Sequence, residues 1–151
     1  MIQRIQSLYL LIAAILTALL LKWPFAEFLI DSTVYVFKAG SIEASDGSFL
    51  LVKTLPLLIL LIIILGLTVV TVFLYKKRTL QMRLTIFSIL LTLGIYALFY
   101  YYYNQAMSLK SLTFSYDIGL VIPLVNGILL FLAFRGIKKD DEVIKSLDRI
   151  R

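Results

Sequence analysis

The sequence predicts an all-α membrane protein, a bundle of four transmembrane helices with a small antiparallel β element in its outer loops. Three observations carry this reading. Hydrophobic residues make up 61% of the 151 residues, against about 45–50% in a typical soluble domain. They are gathered into four long blocks. The basic residues are heaped on one side of those blocks, as they are in cytoplasmic loops.

The first span is read from 5 to 23. Leu8, Leu10, Leu11, Ile12, Ile15, Leu16 and Leu19 to Leu21 supply its apolar surface. Pro24 ends it, because proline lacks the amide hydrogen that the next turn needs. A cleaved signal peptide is the rival for this segment. The lone Arg4 ahead of it and the lack of a small-x-small site behind it favour a retained helix. The second span is read from 55 to 75, with Pro56 in the first turn, where proline is tolerated. The third runs from 84 to 103 and the fourth from 118 to 134, between Asp117 and Arg135. The fourth is at the short limit for crossing a core of about 30 Å, so it is expected to stand upright or to use flanking side chains. Residues 1–135 then form the transmembrane domain, and 136–151 a tail.

Orientation follows from the loops. Arg4, Lys76, Lys77, Arg78, Arg83, Arg135, Lys138, Lys139, Lys145, Arg149 and Arg151 fall on one side, and only Lys22, Lys38, Lys53 and Lys110 on the other. This asymmetry places both termini in the cytoplasm. Trp23 and Phe25 close the first span on the outer side, and Tyr96, Phe99 and Tyr100 to Tyr103 end the third there, as an interfacial aromatic belt does.

The first outer loop, 24–53, carries Thr33-Val34-Tyr35-Val36-Phe37-Lys38, rich in β-branched and aromatic residues as strands are. Gly40 and Asp46-Gly47 are turn signals, and Ser48 to Val52 offers a return strand. A hairpin alone is marginal, so Leu112 to Tyr116 in the second outer loop is the expected third strand. The tail is helical in pattern, with Ile137, Ile144, Leu147 and Ile150 or Val143 on one face. It is expected to lie on the inner leaflet, where lysines gain from anionic lipid, with docking to a cytoplasmic partner as the rival.

Inside the fourth span the polar side chain is Asn126. Gly119, Pro123 and Gly127 recur every four residues and so share a helix face, where small residues permit close helix approach. Ser88 with Thr92, and Ala14 with Ala18, repeat that spacing. The structural expectation is a packed seam with Asn126 bonded across it and a kink at Pro123. The functional alternative makes Asn126 part of a ligand pocket, with Trp23 and Tyr100 as further contacts.

The chain has no cysteine and no histidine. Thiol–disulfide chemistry, the usual haem ligands and the usual zinc sites therefore lack their residues. No charged residue lies in the middle of a span, where a proton relay or ion pathway would need one. No catalytic residue, metal site or cofactor is implied. The net charge of +6 is read as membrane topology, with no nucleic-acid partner.

The opening MIQRIQSLYLLIAAIL and the closing FRGIKKDDEVIKSLDRIR resemble a Bacteroidota family of small four-helix inner-membrane proteins classed as a domain of unknown function. The resemblance covers the whole chain. It implies a bacterial cytoplasmic (inner) membrane protein and carries over no site residues. Four helices with a strand-bearing first outer loop also resemble claudins in architecture alone, since the paired cysteines of claudins are missing. The expected function is a non-enzymatic subunit or scaffold of a membrane assembly, whose partners are the lipid bilayer and a membrane protein or a second copy. The alternative is a lipid or small-molecule binder or carrier with a cleft at the outer interface, lined by Tyr100 to Tyr103, Trp23 and Asn126.

Overall fold

The structure, a computed structural model, describes residues 2–30, 33–45, 50–75, 77–109, 113–116 and 118–148. The Asp46-Gly47 turn, Leu112 and Asp117 lie outside them. Helix α1 (Ile2–Leu20) leads into strands β1 (Ala26–Ile30), β2 (Thr33–Phe37), β3 (Ser41–Ala44) and β4 (Leu50–Lys53). Helices α2 (Leu55–Phe73) and α3 (Arg78–Leu109) follow, then β5 (Thr113–Tyr116), a 3-10 turn (Ile118–Leu120) and α4 (Ile122–Asp148). The helices pack side by side in the ring order α1, α2, α3, α4, with α4 closing on α1.

Several boundaries differ from the hydropathy blocks, for physical reasons. Helix α1 stops at Leu20 instead of 23, because the Leu21 and Lys22 amides reach back only three residues, to Ala18 O and Leu19 O at 3.3 and 3.0 Å, which tightens the last turn ahead of Pro24. Helix α3 spans 32 residues instead of 84–103. Hydropathy marks only its apolar middle, and no proline interrupts 78–109. The tail is not a separate helix, since α4 runs unbroken from Ile122 to Asp148. Three stretches, Leu55–Phe73, Arg78–Gln105 and Ile118–Ile144, are long and apolar enough to cross a membrane, and the apolar helix Ile5–Leu20 is shorter.

The α1–α2 and α3–α4 connections form one antiparallel sheet of five strands, in the order β4-β3-β2-β1-β5. Two strands beyond those expected, β1 and β3, complete it. Strand β5 comes from the α3–α4 connection and pairs with β1, Phe28 opposite Phe114, so the sheet ties the two connections together. Alternation sets its inner face. Ala26 and Phe28, Tyr35 and Phe37, and Ile42 and Ala44 are buried, while Glu27, Leu29 and Val34 face out. Thr54 anchors the sheet to the bundle. Its hydroxyl donates to Lys38 O and Ala39 O, and its amide to Gly40 O, across the β2–β3 turn.

The helices turn large apolar side chains outward and bury hydroxyls and an amide among the apolar residues of their interior. Leu8, Ile15, Ile59, Ile62, Leu90, Leu93, Leu124 and Phe131 are exposed, whereas Thr17, Thr68, Thr71, Thr85, Ser88, Thr92 and Asn126 are buried. The buried hydroxyls are satisfied within their own helices. Thr17 donates to Ala13 O, Thr68 to Ile64 O, Thr71 to Leu67 O, Thr85 to Gln81 O, Ser88 to Leu84 O and Thr92 to Ser88 O, at 2.6–3.0 Å. This back-bonding to the preceding turn lets a hydroxyl face a dry interior.

Candidate functional site

Asn126 is fully buried on the inner face of α4. Its Nδ2 donates to Thr17 Oγ1 of α1 at 2.9 Å, while its Oδ1 is buried with no partner. Thr17 thus accepts from Asn126 and donates to Ala13 O, which fills both of its roles. The inner face of α1 is Ala13 and Thr17, not Ala14 and Ala18, of which Ala18 is exposed. Ser88 and Thr92 do face inward.

The start of α4 departs from the expected seam. Gly119 lies in the 3-10 turn ahead of the helix, and a Cβ there would stand 1.8 Å from Pro24 O. Its small size serves a backbone crossing between the α1–α2 and α3–α4 connections, with no role in a helix face. Pro123 is the second residue of α4, so it starts the helix instead of kinking it. It has no amide hydrogen, and the Leu124 amide turns to Val121 O. The carbonyl of Leu120 is left over, and the Tyr96 hydroxyl of α3 donates to it at 3.0 Å. Gly127 makes no close contact, since a Cβ on it would meet nothing within 4 Å. It lines an apolar notch of about 290 Å³ between α3 and α4, walled also by Ile89, Thr92, Leu93, Tyr96, Pro123, Leu124, Ile128 and Phe131.

Trp23 and Tyr100 do not join Asn126. Trp23 is 46% exposed and Tyr100 66% exposed. The space between sheet and helices is filled by rings instead. Phe37 packs on Phe99, Phe25, Phe28 and Tyr102 with centroids 5.2, 5.8, 6.3 and 6.5 Å apart, and Phe28 packs on Tyr103. Phe25 is therefore core and not part of a belt.

At the other end of the bundle, the tail end, a polar knot gathers residues that sequence reasoning did not single out. Gln6 Nε2 donates to Asp140 Oδ2 at 2.9 Å, Arg78 Nη1 to Asp140 O at 3.1 Å, and Gln81 Nε2 to Thr71 O at 3.1 Å. Gly136 makes room for Gln6, whose Cγ would lie 2.8 Å from an added Cβ. A glutamine near the start of an apolar helix is a weak signal for such a knot, because its partner is more than 130 residues away. Chemically, the buried polar set among the described residues consists of hydroxyls and amides, groups that donate and accept hydrogen bonds.

No curated protein matches the chain. The family model described as "Domain of unknown function (DUF4293)" matches residues 2–150, and the chain belongs to that family.

Proposed function

We propose that the chain is a multi-pass protein of the bacterial cytoplasmic membrane and serves as a non-enzymatic subunit or scaffold of a membrane assembly. The apolar outward faces of the helices, three of them long enough to cross a membrane, support the membrane placement. Helix α1 counts as the fourth span in this reading. It packs between α2 and α4 and presents Ile5, Leu8, Leu11, Ile15 and Leu19 outward, as its neighbours present theirs. The sheet faces the outer compartment, and the basic tail end, with both termini, is cytoplasmic. A reporter fused after Arg151 is then cytoplasmic and one inserted near Asp46 periplasmic.

The observation that carries the scaffold reading is the notch at Gly127. Within lipid, helices associate by close packing over small residues, and here a small residue leaves an outward hollow that its own bundle does not fill. A side chain from a neighbouring apolar helix fits it. The second reading, a lipid binder, rests on the same hollow, which an acyl chain also fits. The absence of cysteine makes the test clean. A single cysteine at Ile128, crosslinked in native membranes, yields a discrete protein adduct if a partner helix or second copy sits there. Recovery of the uncrosslinked monomer alone, in membranes and across mild detergents, overturns the scaffold reading in favour of lipid.

A further inference from the structure

Two adjoining hollows flank the turn between α2 and α3 at the tail end and share Lys77 and Leu80. The first, about 500 Å³, is walled by Phe73, Leu74, Tyr75 and Leu80. Phe73 is 73% exposed there. The second, about 460 Å³, is walled by Lys77, Arg78, Thr79, Asp141 and Ile144.

The two chambers differ in chemistry. The first is ringed by aromatic and aliphatic side chains at the end of a candidate span. The second has two cations against one carboxylate. Arg78 is held in place by its bond to Asp140 O, whereas Lys77 makes no ion pair among the described residues and is exposed. A free anion would use only the second chamber and a hydrocarbon only the first. A molecule that fills both carries an acyl chain and a negative headgroup within the length of one turn.

We infer that these adjoining surface hollows form a binding site for an anionic phospholipid, with its phosphate at Lys77 and Arg78 and an acyl chain against Phe73 and Leu80. The inference rests on the membrane reading above, which puts this end in the leaflet where anionic lipids attract basic segments.

The test uses the full chain in detergent, with native mass spectrometry after addition of dioleoyl-phosphatidylglycerol or dioleoyl-phosphatidylcholine. The parent is expected to retain one phosphatidylglycerol in preference to phosphatidylcholine. Lys77→Gln lowers that retention about fivefold, from about 1 kcal/mol per basic side chain at an anionic surface. Phe73→Ser also lowers it, Lys22→Gln at the sheet end does not, and millimolar inorganic phosphate does not compete. Lys77 is the cleaner variant because Arg78 also holds α4. Equal retention of the two lipids, unchanged retention in Lys77→Gln, or displacement by inorganic phosphate overturns the site. A chain that leaves the membrane fraction without detergent overturns the membrane reading itself. A chain that stays in the membrane yet does not discriminate between the lipids overturns only this inference.

Discussion

At the sheet end, Phe25, Phe28, Phe37, Phe99 and Tyr102 pack ring against ring beneath five strands. Through the bundle and at its tail end, aliphatic packing such as Leu10 and Ala13 on Leu130 and Ala133 is interleaved with single polar contacts, Thr17 with Asn126, Tyr96 with Leu120 O, Gln81 with Thr71 O, and Asp140 with Gln6 and Arg78. The contrast follows from the surroundings proposed for each. Rings buried beneath a water-facing sheet gain the full hydrophobic term. Helices in lipid gain none from burying one apolar side chain on another. Their register is set by small residues and by hydrogen bonds. The sheet end should therefore fail by steric intrusion, and the bundle by loss of single polar partners.

The sharpest way to break this comparison is a series of glycines. Gly119→Ala drives a methyl into the backbone of Pro24, which cannot yield without moving the start of β1. Its cost should sit at or above the top of the about 1–3 kcal/mol range for overpacking. Gly136→Ala meets only the flexible Gln6 side chain, so its loss should be smaller and confined to the Gln6–Asp140 contact. Gly127→Ala meets open space and replaces a poor helix former, which favours the helix by up to about 1 kcal/mol. The order Gly119, Gly136, Gly127 in thermal midpoint, measured in one detergent, checks it. Equal losses at Gly119 and Gly127 would restore the close-packed seam that the spacing suggested.

How much of this was legible in the sequence depends on the kind of signal. The helices were legible because hydropathy is local. Thr33 to Phe37 was legible from its β-branched and aromatic residues, but Ser41–Ala44 was not. With Glu43 and Ala44 it has low strand propensity, and it is a strand because β2 and β4 pair with it. Asn126 stood out as a polar side chain in an apolar span, whereas its partner Thr17 did not, since cross-helix register is a tertiary fact. The equal spacing of Gly119, Pro123 and Gly127 misled because the 3-10 turn breaks the helical phase on which the face argument rests.

The Thr17–Asn126 pair sharpens the account of the bundle interior. Thr17→Val leaves both polar ends of Asn126 buried without partners, at about 1–3 kcal/mol. Asn126→Leu removes the same bond, but it also removes the Oδ1 that is already unpartnered. Its loss should therefore fall below that of Thr17→Val. Chemical denaturation of the two single variants and the double variant tests this. A larger loss for Asn126→Leu would mean that Oδ1 is in fact bonded in the folded protein.

A smaller effect is expected at Tyr96. Tyr96→Phe keeps the ring in the wall of the notch and deletes the donor to Leu120 O. The loss should be about 0.5–1.5 kcal/mol. Restoring a backbone amide by Pro123→Ala in the same chain should recover part of it, because the new N–H can then serve that carbonyl. No recovery in the double variant would show that the Tyr96 contact does not stand in for the missing amide.

The smallest effect lies on the exposed face of the sheet. Lys38 Nζ donates to Glu43 Oε1 at 2.7 Å across the β2–β3 turn. That hydrogen bond, together with the charge of Lys38, holds the Glu43 carboxyl below its ordinary value. A lowered folded value means that the ionised form is favoured by folding. The contribution is fully present above about pH 4.3, the ordinary value of a glutamate. It fades as the pH falls through the lowered folded value. Both side chains are partly exposed, so solvent and salt screen the pair and its weight is slight. Glu43→Gln should lower the thermal midpoint slightly near neutral pH at low salt. The two proteins should converge as the solution is acidified, and added salt should narrow the gap at neutral pH. A gap that widens in acid would mean that Lys38 is not what holds the Glu43 carboxylate.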